Sequence, residues 1–167
     1  HRDSLGHVQA IRPGEVNWMT AGRGIVHSER SDTNQREHAT SLYGLQCWVA
    51  LPRAEEECEP DFTHQKASEL STLVRDGAHI ILVAGSYMGL RSTLPTRSPL
   101  VYAQLTCQPG VRFSLPAEYD EQALYIVSGE IDVDSDGVHA AGSLLVTRKG
   151  AHVSICAGVN GAIVMLL

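Results

Sequence analysis

The run Trp18-Met19-Thr20-Ala21-Gly22-Arg23-Gly24-Ile25-Val26-His27-Ser28-Glu29 holds the most chemically specific spacing in the chain. Residues two apart on a strand point to one face, so a strand here sets the His27 imidazole beside the Glu29 carboxylate. An imidazole and a carboxylate on one face are two of the three donors of a facial metal triad. The same two groups, without a metal, make a His–Glu hydrogen bond inside a barrel, and spacing alone leaves both readings open. Gly22 and Gly24 come just before the pair, where a sharp bend favours residues without a Cβ. Arg23, between them, either guides an anionic substrate or pairs with a carboxylate on a strand edge.

Positioning these groups falls to many short strands. His1 to Gly14 has hairpin grammar, with a turn at Ser4-Leu5-Gly6 and a close on Arg12-Pro13-Gly14. Val16, Trp18 and Met19 continue a strand. Residues 30–41 are polar and predict an exposed loop. Leu42 to Leu51 is a β-prone run stopped by Pro52, which places Tyr43 and Trp48 on a core strand. Residues 53–66, with Glu55, Glu56, Glu57 and Glu59, predict a solvated connector, and residues 67–70 a helical turn. Further strands are expected at His79–Ala84, Val101–Cys107, Val111–Leu115, Ala123–Val127, Ile131–Asp134, Leu144–Thr147, Val153–Cys156 and Gly161–Leu167, with a hairpin turn at Asp136-Gly137. Short, evenly spaced strands punctuated by Gly and Pro predict an all-β sandwich or jelly-roll barrel.

The 167 residues suffice for one ordinary domain or two small ones, and 43% apolar content can build a core. A formal net charge of -6, with no Lys/Arg cluster, argues against a nucleic-acid backbone as partner. No apolar run reaches membrane-spanning length, and no basic-then-apolar leader opens the sequence. Cys47, Cys58, Cys107 and Cys156 are scattered without a C-x-x-C pair, which predicts reduced thiols and a cytoplasmic location. The sequence starts without Met and both starts and stops in apparent strands, so it reads as a piece of a longer protein. Unpaired strand edges left in this way predict a homodimer.

Two echoes connect the halves. Gly22-x-Gly24-x-x-His27 in the first and Arg148-x-Gly150-x-x-Val153, after Gly142, in the second both resemble the second cupin motif, P-x-G-x-x-H. The histidine survives only as His27. His152 is one residue out of phase, and so faces the other side of its strand. Counted from Gly110, the first cupin motif puts Pro116 and Glu118 at its histidine positions; counted back from Gly129, it puts Gln122 at its glutamate position. No ligand set remains there.

The chain as a whole resembles the pirin family of two-cupin proteins. The likeness rests on residues 1–6, on Ile11 to Glu29, on Gly44-Leu45-Gln46 with Trp48-Val49, and on Leu124-Tyr125-x-Val127-x-Gly129-Glu130. It implies an all-β bicupin jelly roll, with residues 1–66 as the later part of a first, incomplete barrel and its connector. Residues 67–167 would then form a second, degenerate barrel that binds no metal. It also implies a non-haem Fe site, or another divalent metal, held by three histidines and a glutamate. His27 and Glu29 match two of these four ligands; the other two come from a His-x-His strand that would precede His1.

Family members include quercetin 2,3-dioxygenases and nuclear co-regulators. The implied function is a metal-dependent dioxygenase of flavonol-like phenols, with Glu29 also acting as the catalytic base that takes the hydroxyl proton. Two alternatives stand beside it: a metal-binding regulatory module without turnover, and a shortened, metal-free scaffold. His7 is expected at the surface, and His1 either as an opportunistic ligand or, preferred here, as a frayed end; His38, His64, His79, His139 and His152 are not expected to be ligands. Trp18 and Met19 are expected in the core, and the cluster at Glu118, Asp120 and Glu121 is assigned no catalytic role.

Overall fold

The computed structural model describes residues 1–31, 43–134 and 136–167. It is all-β and divides into two compact units, His1–Ala67 and Ser68–Leu167.

The first unit holds β1 (Arg2–Asp3), β2 (Val16–Thr20), β3 (His27–Ser28) and β4 (Asp61–Gln65), with a 3-10 turn at Arg53–Glu55. β1 pairs antiparallel with β3, and β2 with β4. The opening segment thus closes on β3, with only a single bridge, Arg2 to Val8, inside the expected hairpin. β4 lies within the stretch expected to be a connector. Its polar sequence, Asp-Phe-Thr-His-Gln, hides a strand whose pairing comes from β2 rather than from its own alternation.

The strand expected over Leu42–Leu51 is not formed. Leu42 lies outside the described residues, and residues 43–50 join no ladder. Tyr43 and Trp48 are 80% and 93% exposed, against the core placement expected for them. β-propensity describes the fit of a side chain to a half-buried pleated surface, and no such surface meets this segment. The loop expected at residues 30–41 falls almost wholly outside the described residues.

The second unit runs β5 (Ser71–Arg75), β6 (Ala78–Tyr87), β7 (Leu90–Arg91), β8 (Val101–Cys107), β9 (Arg112–Leu115), β10 (Ala123–Val133), β11 (Gly137–Ala140), β12 (Leu144–Val146) and β13 (Val153–Leu166). A 3-10 turn at Ala67–Glu69 precedes it, where a helical turn is expected. The sheet order is β11-β10-β13-β8-β6-β5, with β12 beside β10, β7 beside β6 and β9 beside β13. β8 shows why these residues make strands: Val101, Ala103, Leu105 and Cys107 are buried, and their neighbours only partly so.

Two stretches that the sequence divides into separate strands are each one strand. β10 runs through Ser128-Gly129-Glu130 by register shifts after Ile126 and Gly129, and β13 runs through Gly158 to Gly161. The shifts move the buried set from Leu124 and Ile126 to Ile131 and Val133, so a long strand keeps its apolar side inward. The core is built on Tyr87, Phe113, Ile80, Leu82, Leu105, Ile126, Ile131 and Ile155. No helix among the described residues is long and apolar enough to cross a membrane.

Candidate functional site

β3 is two residues long and carries His27; Glu29 follows directly after it. Both residues are exposed. Their neighbourhood is organised by Asp3, the Cα partner of His27 across the β1–β3 ladder. The main chain is clamped there as well, since the Ser4 amide donates to Val26 O at 2.8 Å.

The Asp3 side chain is shielded from solvent. Its Oδ1 accepts from the Leu5 and His7 amides, each at 3.0 Å. Its Oδ2 lies 3.0 Å from His1 Nε2 and 2.9 Å from His7 Nδ1. Desolvation pushes the carboxyl pKa up, but the hydrogen bonds from the His7 backbone and ring and from the Leu5 amide outweigh it, and the net shift is downward. The His1 ring stacks on Phe62 at a centroid distance of 4.2 Å and on His27 at 5.5 Å. Only 3% of its side chain is exposed. The frayed end expected at His1 is therefore corrected: a carboxylate on the ring edge and an aromatic on its face hold the imidazole. His7 is the more open of the two, at 41%.

Arg23 pairs with a carboxylate, although that carboxylate, Glu59, precedes β4 and does not lie on a strand. Its guanidinium pairs with Glu59 at 2.6 Å, and both side chains are largely exposed. Gly22 has φ +50, and a Cβ there would come within 2.0 Å of the Cys58 carbonyl oxygen, which accepts from the Arg23 amide. The bend thus needs glycine for close approach as well as for its backbone angle. Trp18 and Met19 are half-buried on β2. His64 Nδ1 lies 2.8 Å from Asn17 Oδ1, and its Nε2 is 3.6 Å from Glu15.

The second-half positions matched to the cupin motifs take part in structural contacts. Gln122 is buried and donates to Pro116 O, Glu118 accepts from the Met88 amide, and Val153 pairs with Leu115. His139 pairs with Asp136, and His79 and His152 are exposed; His38 lies outside the described residues.

No three His, Cys, Asp or Glu side chains among the described residues come together as a metal site. His27 and Glu29 are two donors of the expected set of four, and a neighbouring imidazole, His1, is already turned to Asp3 and Phe62. The residues present do not by themselves fit a metal. Asp3 and Phe62 are the members of this cluster that the sequence reading misses. The signal for Asp3 is in the spacing, because a short acidic side chain between His1 and His7 at a Ser-Leu-Gly turn is placed to gather local amides and rings.

The Pirin family model matches residues 1–49. A pirin-like protein of Caulobacter vibrioides is 48% identical over 135 residues, which cover 80% of this chain and 46% of that protein. Human pirin is 33% identical over 137 residues, covering 81% of this chain and 46% of the human protein. This chain belongs to the pirin family. It spans a little under half the length of these two curated relatives. Among solved structures, a quercetin 2,3-dioxygenase from Acinetobacter baumannii superposes with a TM-score of 0.86 at 28% identity, over 99% of this chain and 53% of that one. The pirin chain is therefore an all-β cupin.

Proposed function

We propose that this chain is part of a pirin-type dioxygenase acting on flavonol-like phenols such as quercetin. The observation that carries the proposal is the superposition of 99% of the chain on a quercetin 2,3-dioxygenase. In this reading His27 and Glu29 are half of an iron-binding set, completed by a His-x-His strand outside residues 1–167. Two donors do not make the site, so the chemistry assigned to this chain rests on its own groups. Glu29 is exposed and carries no hydrogen bond to protein among the described residues, so its carboxylate is open to accept a phenolic proton. The neighbouring His1 imidazole is engaged by Asp3.

Oxygen uptake with quercetin, measured together with iron content on the protein that carries this chain, tests the proposal. Quercetin-dependent uptake is expected. Glu29→Gln is expected to lower both iron content and turnover, and unchanged values for both would remove Glu29 from the site. Iron retained without uptake would leave the second reading, a metal-binding regulatory module. The same proposal includes a cytoplasmic location, no direct nucleic-acid or membrane partner, and a homodimer through unpaired strand edges.

A further inference from the structure

A cleft lies wholly within the Ser68–Leu167 unit, between β6, β7 and the loop that leads to β8. It encloses about 450 Å³. Its walls carry two guanidiniums, Arg91 and Arg97, and four hydroxyls, Ser86, Ser92, Thr96 and Ser98, but no Asp or Glu. That is a local charge inversion in a chain of net charge -6.

The frame is fixed. The Ser86 amide donates to Leu100 O, the Ser92 amide to Gly85 O and the Ser92 hydroxyl to Val83 O. The Tyr119 hydroxyl lies 2.8 Å from both Ser86 O and Leu100 O. These bonds tie both ends of the loop to β6. Within the frame some groups are left over. Arg91 is held on β7 by its pairing with Ser86, yet its guanidinium has no protein partner among the described residues. Thr96 and Ser98 are half-buried, and their hydroxyls likewise have no protein partner among the described residues. A planar cation with five donors, beside hydroxyls in a concave site, matches the oxygens of a carboxylate or phosphate.

We propose that this cleft binds a small oxyanion, a carboxylate or a phosphate, with Arg91 as its principal cation and Thr96 and Ser98 as hydroxyl donors. The cleft's lining lies in the Ser68–Leu167 unit and does not include His27 or Glu29, and its binding needs neither metal nor oxygen chemistry.

The test is an amide NMR titration of the 167-residue chain with sodium phosphate and, in a second arm, sodium acetate, each at ionic strength matched with sodium chloride. Saturable shifts confined to residues 85–100 are expected in at least one arm, and the arm that saturates names the oxyanion. Arg91→Gln should weaken binding by about tenfold or more, the loss of one charge-assisted contact. Arg91→Lys should recover part of it, and Arg75→Gln, a change outside the cleft, should leave it unchanged. Shifts that chloride reproduces, shifts that never saturate, or equal affinity in Arg91→Gln would each overturn the proposal. Arg91 is exposed, so its variants keep the core, and the dispersion of the NMR spectrum reports folding directly.

Discussion

Asp3 stands opposite His27 across the β1–β3 ladder, and its carboxylate gathers two imidazoles and two amides while His27 contributes only a stacked ring. The shielded carboxylate that gathers this polar cluster is thus the aspartate, and the histidine of the recognisable motif lies at its margin. A carboxylate so surrounded should matter to stability through its charge. Asp3→Asn keeps the shape and removes the charge, and Asp3→Ala removes both, so the alanine variant should melt at the lower temperature.

The pH dependence of that difference has a definite sign. The folded pKa of Asp3 is lowered, so its contribution is present above the ordinary aspartate range and is lost as pH falls through the folded value. Thermal melts of wild type and Asp3→Asn from neutral pH down to about pH 2 should therefore converge at the acid end. Curves that stay parallel throughout would show that the hydrogen-bond geometry matters and the charge does not.

Trp48 is 93% exposed, whereas Trp18, the other tryptophan, is half-buried on β2. Acrylamide should quench their emission in two components, and Trp48→Phe should delete the accessible one. Stability should change by no more than about 0.5 kcal/mol, as for a surface site. If strand edges pair into the proposed dimer over this segment, Trp48 will be shielded at high concentration and uncovered on dilution. A single buried-type emission at every concentration would contradict its placement.

What the sequence makes legible divides along physical lines. β8 can be read to the residue, because Val101 to Cys107 alternates and is followed by Gln108-Pro109. β10 and β13 each look like two strands, because Gly129 and Gly161 resemble stops, whereas the structure uses positive φ at both to pass through bulges. β4 leaves no local trace, since its pairing with β2 is non-local and its residues are polar. The Trp48 segment fails the opposite way, with strong local preference and no partner. At the site, His27 and Glu29 stand out by spacing, but the Asp3–His1–Phe62 arrangement depends on chain closure from residue 3 to residue 62, which no local pattern records.

Tyr87 is fully buried at the end of β6 and points its hydroxyl to Pro116 O at 3.4 Å. Burial, with a smaller push from Glu118, raises its pKa well above that of an ordinary tyrosine. A raised folded value means that the unfolded chain gives up this proton first. Stability is therefore whole below about pH 10 and declines as pH rises beyond it. Tyr87→Phe should flatten that alkaline decline, at a cost of about 1 kcal/mol at neutral pH for the lost hydrogen bond. Ultraviolet titration of wild type against Tyr87→Phe isolates this hydroxyl, which should ionise only as the protein unfolds. Ionisation of Tyr87 in the ordinary tyrosine range in a chain that is still folded would exclude its burial.

Gly85 and Gly89 offer a controlled pair, because their φ angles, +80 and +81, are the same within a degree. At Gly89 an added Cβ meets nothing within 4 Å, so alanine should cost only the backbone penalty of about 1 kcal/mol. At Gly85 the same Cβ would fall 1.8 Å from the Leu100 carbonyl oxygen, which is backbone and cannot swing aside. Relief requires moving the acceptor that serves both the Ser86 amide and the Tyr119 hydroxyl. Each bond put at risk is worth about 1 kcal/mol, so Gly85→Ala should cost about 3 kcal/mol in all. Urea unfolding of the two variants separates the steric term from the conformational one, since the latter is common to both. Equal costs would mean that Gly85 does not seat against Leu100, and the fixed frame of the oxyanion cleft would go with it.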